Sequence, residues 1–244
     1  MSRRVTFATA KRVLQQLRRD PRTIGLVFVV PPVLITLFHF VLSGSPGTFN
    51  RVGGPMVGIF PFSSMFVVTS IAMLRERTTG TLERLMTMPL AKLDILLGYG
   101  LGFAAVATVQ ASITSAVAFG LLGLTLHGSV ALVVALAVAN AVLGMSIGLF
   151  ASAFARTEFQ AVQFMPAIVF PQILLCGLIV PRAKMEHVLE VVSYVLPLTW
   201  AFDGLSHAVR GGGNAIVLRD AAIVAGVTIV SLALAATTLR RRTS

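Results

Sequence analysis

Six long apolar runs constrain the fold of this chain more than any other feature of its sequence. A bilayer core offers no water to backbone polar groups, and a helix of about 20 apolar residues satisfies them internally. Of the 244 residues, 56% are apolar and 12% are charged, whereas about 25% are charged in soluble domains. The sequence therefore predicts an all-α integral membrane protein. The predicted spans are about 24–42, 56–74, 95–124, 130–155, 163–180 and 221–239.

Lys and Arg residues are distributed unevenly between the two ends of these spans. Fifteen lie on one side, in the N-terminal segment, residues 74–94, the turn at Arg156 and the C-terminal tail; five lie on the other side. Cytoplasmic loops carry such an excess. We therefore expect a multi-pass protein of the cell membrane with both termini in the cytoplasm. The net charge of +11 then reflects membrane orientation, and we predict no nucleic-acid partner.

The chain is predicted to contain one membrane domain between two basic ends. In residues 1–23, Ala10, Val13, Leu14 and Leu17 repeat at helical spacing among basic residues, which is typical of an amphipathic interfacial helix. Residues 24–239 hold the six spans, and residues 240–244 form a basic tail.

A charged segment, residues 74–94, separates the second span from the third. Gly80 and Pro89 bound a predicted short helix, Thr81–Met88. One face of this helix is apolar, with Leu82, Leu85 and Met86, and Glu83 and Arg84 point elsewhere. Such a helix docks into a groove on a partner, lies on the lipid surface, or simply shortens the loop.

Residues 181–220 contain apolar pieces too short or too interrupted to cross a bilayer. The pieces are 188–198 and 200–209, and Pro197 lies close to the point where they meet. They predict two short helices that enter the membrane from outside and return. The alternative is an extracytoplasmic loop with surface helices.

Catalytic and metal-binding motifs are missing from the sequence. It has no Gly-x-x-x-x-Gly-Lys-[Ser/Thr] loop to hold nucleotide phosphates, so we do not expect this chain to hydrolyse ATP. The four histidines are scattered, and no nucleophile has a neighbouring base. We therefore predict no catalytic, cofactor or metal site. Cys176 lies in an apolar run, and we expect it to pack as a small apolar residue.

Polar residues within the predicted spans are few. None of the nine acidic residues falls inside one, although a proton-driven transporter usually needs a carboxylate there. Gln110, Asn140, Gln163 and Gln172 line a substrate path or hydrogen-bond between helices. Without a carboxylate in a predicted span, we expect the energy for transport to come from another subunit. Two Gly-x-x-x-Gly pairs, Gly98 with Gly102 and Gly144 with Gly148, predict close helix packing.

Two motifs resemble those of a known family. The first is Arg75-Glu-Arg-Thr-Thr-Gly-Thr-Leu-Glu-Arg-Leu85, followed by Pro89-Leu90. It looks like the signature of permease subunits of ABC-2 type transporters, among them daunorubicin-resistance permeases. The second, Leu196-Pro-Leu-Thr-Trp200-Ala-Phe-Asp-Gly-Leu205, is similar to the family's Asn-Pro-Leu-Thr-Tyr-type motif. Here Leu196 stands where Asn is frequent and Trp200 where Tyr is frequent.

The resemblance implies a permease subunit that exports a hydrophobic or amphipathic compound, such as a drug, lipid or polyketide. Its partners would be a second permease copy or homologue, membrane lipid, and two ABC ATP-binding subunits that hold the ATP and Mg. The resemblance implies that the Thr81–Met88 helix contacts the ATPases, and we assign this coupling to Leu82, Glu83, Arg84, Leu85 and Met86. It also implies outer helices, which carry Pro197, Thr199, Trp200 and Asp203. A separate hypothesis places Arg75, Glu76 and Arg77 as a charged cytoplasmic anchor at the inner end of the second span.

Two other functions remain open from the sequence. One is a secondary transporter or channel that acts alone, for which an intramembrane carboxylate or an inverted repeat is expected. The other is a permease-fold sensor that does not transport.

Overall fold

The protein is a bundle of helices, seen in a computed structural model that describes residues 3–87 and 92–238. Helices make up most of the described residues, and no β-strand occurs among them. The α-helices are α1 Arg3–Arg18, α2 Pro21–Val41, α3 Pro46–Thr78, α4 Thr81–Thr87, α5 Lys92–Ala116, α6 Val130–Ala151, α7 Glu158–Phe164, α8 Phe170–Leu175, α9 His187–Val195, α10 Pro197–Val209 and α11 Asn214–Thr237.

Six described helical segments are long and apolar enough to cross a membrane, which confirms the predicted number of spans. They are Pro21–Val41, Gly47–Thr78, Asp94–Leu121, Val130–Ala151, Glu158–Leu175 and Asn214–Thr237. Two contain a wider π-helical turn, at Val117–Leu121 and Met165–Val169. The second turn contains Pro166, and Pro171 follows it in α8. Because proline donates no backbone hydrogen bond, a local change of helical pitch is expected there.

The second span is longer than predicted. Residues 43–55, rich in Gly, Pro and Ser, predict a loop, but α3 begins at Pro46 and has 33 residues. Proline fits the first turn of a helix, where its missing N–H leaves no bond unmade. At 1.5 Å per residue α3 is about 50 Å long, so it extends beyond a hydrocarbon core of about 30 Å.

The two predicted glycine pairs lie where helices approach closely. A Cβ atom on Gly144 of α6 would lie 2.8 Å from the Phe62 carbonyl carbon of α3, and one on Gly148 would meet the Phe66 carbonyl group. Gly98 and Gly102 of α5 face Thr9 and Val13 of α1 in the same way. The glycines thus let α6 pack on α3 and α1 pack on α5, as the sequence predicts.

Four acidic residues lie within the candidate spans, so the prediction that none does was wrong. Asp94 and Glu158 begin their spans, Glu76 is near the end of its span, and Asp220 lies inside the last one. The boundaries explain the error at Asp220. The last span begins at Asn214 rather than near 221, which places Asp220 about 9 Å along the helix.

Residues 181–220 contain the two predicted short helices, α9 and α10, which meet at an angle of 87°. Pro197 occupies the first turn of α10. The bend separates two apolar pieces that are individually too short to cross a bilayer. Insertion of this pair from the outer face remains a prediction.

Candidate functional site

Three consecutive residues at the end of α3 contact three different parts of the protein. Arg75 donates two hydrogen bonds to Glu158 at the start of α7, of 2.6 and 3.0 Å, and lies 3.6 Å from Asp20. Arg77 donates to the Thr238 hydroxyl, just beyond α11. Successive helical residues point about 100° apart, which sends the three side chains in different directions. We call this end of the bundle, with Arg75, Glu76 and Arg77, the anchor end.

Glu76 joins α3 to the N-terminal helix. Its carboxylate is 8% exposed, accepts a hydrogen bond of 2.9 Å from Gln16 and lies 3.4 Å from an Arg12 nitrogen. Arg12 also donates to the Tyr99 hydroxyl of α5, and its guanidinium lies 5.4 Å from the centre of that ring. A charge with so little exposure to solvent requires such partners. A polar network therefore holds α1 against α3 and α5, in addition to apolar packing.

Asp20 caps the first span at the anchor end. Its carboxylate accepts from the backbone N–H of Thr23 at 3.2 Å and from the Thr23 hydroxyl at 2.7 Å. These hydrogen bonds, chiefly that of the hydroxyl, lower the pKa of Asp20, and the nearby charge of Arg75 lowers it further. Asp20 therefore stays ionised at neutral pH and satisfies a free N–H group at the start of α2.

A cavity of about 570 Å³ opens at the anchor end between α1, α2, α3 and α5. Its walls are mainly apolar, with side chains such as Leu17, Val68, Ile71 and Phe103. Its polar lining consists of Gln16, Asp20, Arg22, Thr23, Arg75, Glu76 and Tyr99. The volume is in the range of small-molecule pockets, and the mixture of surfaces suits an amphipathic compound.

The short helix α4 begins at Thr81, as predicted, one residue after Gly80 with a φ of +72°. Leu82 is 3% exposed and belongs to the buried cluster that includes Met73, Ile95 and Leu96. Leu82 therefore packs α4 against α3 and α5. Arg84 is exposed. The side chains of Glu83, Leu85 and Met86, and residue Met88, lie outside the described residues.

The residues assigned to the predicted outer helices mainly connect α9 with α10. The Thr199 hydroxyl donates to the Ser193 carbonyl oxygen at 2.6 Å. The Trp200 indole N–H donates to the Tyr194 carbonyl oxygen at 3.0 Å. Asp203 is paired with Arg182, and the Arg219 guanidinium lies 5.3 Å from the Trp200 ring centre. These bonds hold the 87° bend in one geometry.

The four polar residues assigned to a pathway are not brought together. Gln110 is buried and donates to the Val27 carbonyl oxygen of α2 at 2.7 Å and to the Ser64 hydroxyl of α3. Gln172 contacts the backbone of Ile168 and of Leu198 in α10. Gln163 is exposed, and Asn140 lines a separate small cavity. Gln110 and Gln172 thus connect helices, the second of the two roles considered from the sequence.

Sequence reasoning missed the partners of the anchor. Arg12 and Gln16 are four residues apart, so they share a helix face, and this spacing was a usable signal. Glu158 and Asp20 lie far from Arg75 in sequence, and no local pattern indicates their contact. Among the described residues, no group of three or more His, Cys, Asp or Glu side chains is arranged to hold a metal ion.

Comparison with known proteins gives matches across most of the chain. It is 29% identical to the probable multidrug ABC transporter permease YbhR of Escherichia coli over 143 residues, which are 59% of this chain and 39% of YbhR. It is 29% identical to the inner membrane transport permease YhhJ of Escherichia coli over 170 residues, 68% of this chain and 45% of YhhJ.

A eukaryotic relative matches as well. ABC transporter G family member 20 of Dictyostelium discoideum is 29% identical over 146 residues, 60% of this chain and 20% of that protein. The chain thus spans less than half the length of each of these three relatives. The pattern of the family described as ABC-2 type transporter matches residues 4–209, which include the anchor and α10. This multi-pass membrane protein belongs to the ABC-2 type transporter family.

Proposed function

We propose that the chain is the transmembrane permease subunit of an ABC exporter. It moves a hydrophobic or amphipathic compound, such as a drug, lipid or polyketide, out of the cytoplasm or the inner leaflet. ATP hydrolysis on separate ATP-binding subunits, which hold the ATP and Mg, drives the movement. The permease acts with a second copy or a homologue in the cell membrane, with both termini and α4 in the cytoplasm.

The observation that carries the substrate class is the cavity at the anchor end. Apolar walls beside a charged rim suit a compound that partitions into the membrane surface. In the proposed orientation the cavity opens at the cytoplasmic face, from which an exporter takes its cargo. The relation to a probable multidrug permease points to the same class of compound.

Coupling to the ATPases is proposed to pass through α4. Its exposed residues, including Arg84 and Thr87, meet the ATP-binding subunit, while buried Leu82 transmits the force to α3 and α5. The bonds of Arg75, Glu76 and Arg77 then carry the movement to α7, α1 and the end of α11. ATP binding thereby shifts the population between inward-open and outward-open states.

Transport in reconstituted vesicles tests the proposal, with a fluorescent amphipathic dye, ATP and the partner ATPase. Ala72 lines the cavity, so Ala72→Phe should fill part of it and lower ATP-dependent dye movement by about tenfold or more. Ala105→Phe is the matched control, because Ala105 is exposed on α5. Equal transport by both variants would exclude the cavity as the substrate site. Dye movement that needs no ATPase would contradict the exporter.

A secondary transporter that acts alone is the second candidate, favoured by one observation. Asp220 is a fully buried carboxylate within a candidate span, which such transporters use to bind protons or ions. Dye movement driven by a pH gradient without ATP, and abolished in Asp220→Asn, would establish this alternative.

A further inference from the structure

Two residues with an unsatisfied polar atom line one small cavity where α6, α10 and α11 pack together. Asp220 of α11 is 0% exposed, and Arg219 donates to its Oδ1 atom at 3.0 and 2.8 Å. Its Oδ2 atom has no hydrogen-bond partner among the described residues. The Nδ2 atom of Asn140 on α6, a residue 2% exposed, likewise has none in the described part of the chain.

The cavity has room for one small molecule. Its volume is about 10 Å³, close to the space that one water molecule needs. Apart from Asn140, Asp220 and Trp200, its lining consists of the small or apolar residues Leu136, Ala139, Ala201, Gly204, Ala221 and Val224. The indole N–H of Trp200 is already bonded to the Tyr194 carbonyl oxygen. The amide of Asn140 and the carboxylate of Asp220 are thus the polar groups available to a ligand.

Leaving both groups unsatisfied would be costly. A buried amide or hydroxyl without a hydrogen bond destabilises the folded protein, and a buried charge does so more strongly. The side chain of Arg219 is 58% exposed and neutralises the carboxylate from one side only. The neighbouring carboxylate of Asp203 is paired with Arg182 and adds no positive charge beside Asp220. A donor is needed at Oδ2 and an acceptor at Nδ2.

We infer that the junction of α6, α10 and α11 binds a single water molecule between Asn140 and Asp220. The Asn140 amide donates to the water oxygen, and the water donates to Oδ2 of Asp220. Two hydrogen bonds to protein lie within the usual range for a buried water. The site links α11 to α6 beside Gly204 and Ala201 of α10, and thereby stabilises the packing of these three helices. It does not depend on the proposed transport function.

Packing around Asn140 makes the site specific. A Cβ atom on Gly58 of α3 would lie 2.6 Å from the Asn140 amide nitrogen, so the amide packs closely against α3. A Cβ atom on Gly204 would lie 3.3 Å from that of Asp220. Both side chains are therefore closely packed, and both belong to the lining of the small cavity.

A map of the wild-type protein that resolves ordered waters is the direct test. We expect one peak about 2.7–3.2 Å from both Nδ2 of Asn140 and Oδ2 of Asp220. Direct contact between the amide and the carboxylate, or a cavity without a peak, would overturn the inference.

A double-mutant cycle provides a second test. Asn140→Leu and Asp220→Leu should each lower the apparent Tm in detergent by about 3–8 °C, because each leaves the other group unpaired. The double variant should lose no more than the worse single variant, since replacing both partners with apolar groups removes the unpaired atom. Strictly additive losses would overturn the inference. The control pair is Asp220→Leu with Gln172→Leu, where we expect additivity because Gln172 bonds elsewhere.

Discussion

Gly144 shows how tightly the two central helices pack. A Cβ atom there would overlap the Phe62 carbonyl group, which belongs to the backbone of α3 and cannot move aside independently. We expect Gly144→Ala to destabilise the protein by about 1–3 kcal/mol, the usual cost of overpacking. Thermal unfolding in detergent would measure this loss.

The matched control is Gly226→Ala in α11, where a Cβ atom would meet nothing within 4 Å. That substitution should be neutral or stabilise by up to about 1 kcal/mol, as alanine favours helices. Equal effects of the two substitutions would contradict the close packing of α6 on α3.

Glu76 carries the second prediction at the level of single residues. Glu76→Gln removes the charge that faces Arg12, so we expect a loss of about 1–3 kcal/mol in stability. The apparent Tm gives the measurement. Glu186→Gln, at an exposed carboxylate, should change it little. If Glu76→Gln has no greater effect than Glu186→Gln, the network that holds α1 contributes little.

Gly144 and Glu76 also show which contacts of a single residue can be predicted from the sequence. Gly144 and Gly148 form a local pattern whose packing role follows from spacing alone. Glu76 and Arg12 are 64 positions apart, and their contact depends on how α1 crosses the bundle. Asp220 was placed outside the last span because a helix end cannot be located closely from hydropathy.

Among the helical elements, the number of spans was predictable and their ends were not. An apolar run of about 20 residues has few alternatives to a helix in a bilayer, which explains the agreement on six. The start of α3 was missed because Gly, Pro and Ser usually indicate a loop. Here Gly53, Gly54 and Gly58 instead let neighbouring side chains approach the helix, as Val209 of α10 does at Gly54.

Packing of α1 on α5 gives a prediction for a whole element. A Cβ atom on Gly98 would lie 2.9 Å from the Thr6 carbonyl oxygen and even closer to the Thr9 side chain. Gly98→Val should therefore displace α1 and increase tryptic cleavage at its basic residues by about tenfold or more. Limited proteolysis followed by mass spectrometry measures this.

Gly100→Val is the control for that experiment, two residues away on the same helix. A Cβ atom on Gly100 would meet nothing within 4 Å, so cleavage of α1 should stay at the wild-type rate. If trypsin cleaves α1 no faster in Gly98→Val than in Gly100→Val, the position of α1 does not depend on the glycine pair.

For the whole molecule, the central proposal is that this permease works through a separate ATP-binding subunit. The anchor residues connect α3 to the ends of α1, α7 and α11, so a force on α4 would reach much of the bundle. The family match covers residues 4–209, which include the anchor residues and their contacts with α1 and α7. The arrangement predicts a complex whose activity depends on the exposed side of α4.

Co-purification with candidate ATP-binding subunits, read as ATP hydrolysis, tests this proposal most directly. We predict a stable complex whose hydrolysis falls about tenfold in Arg84→Glu, because in the proposed complex exposed Arg84 would contact the partner while buried Leu82 keeps α4 in place. Arg156→Glu, an exposed site in the turn before α7, is the control and should hydrolyse ATP at the wild-type rate. Failure to recover any ATP-binding subunit with an intact permease, or equal hydrolysis by both variants, would contradict the account.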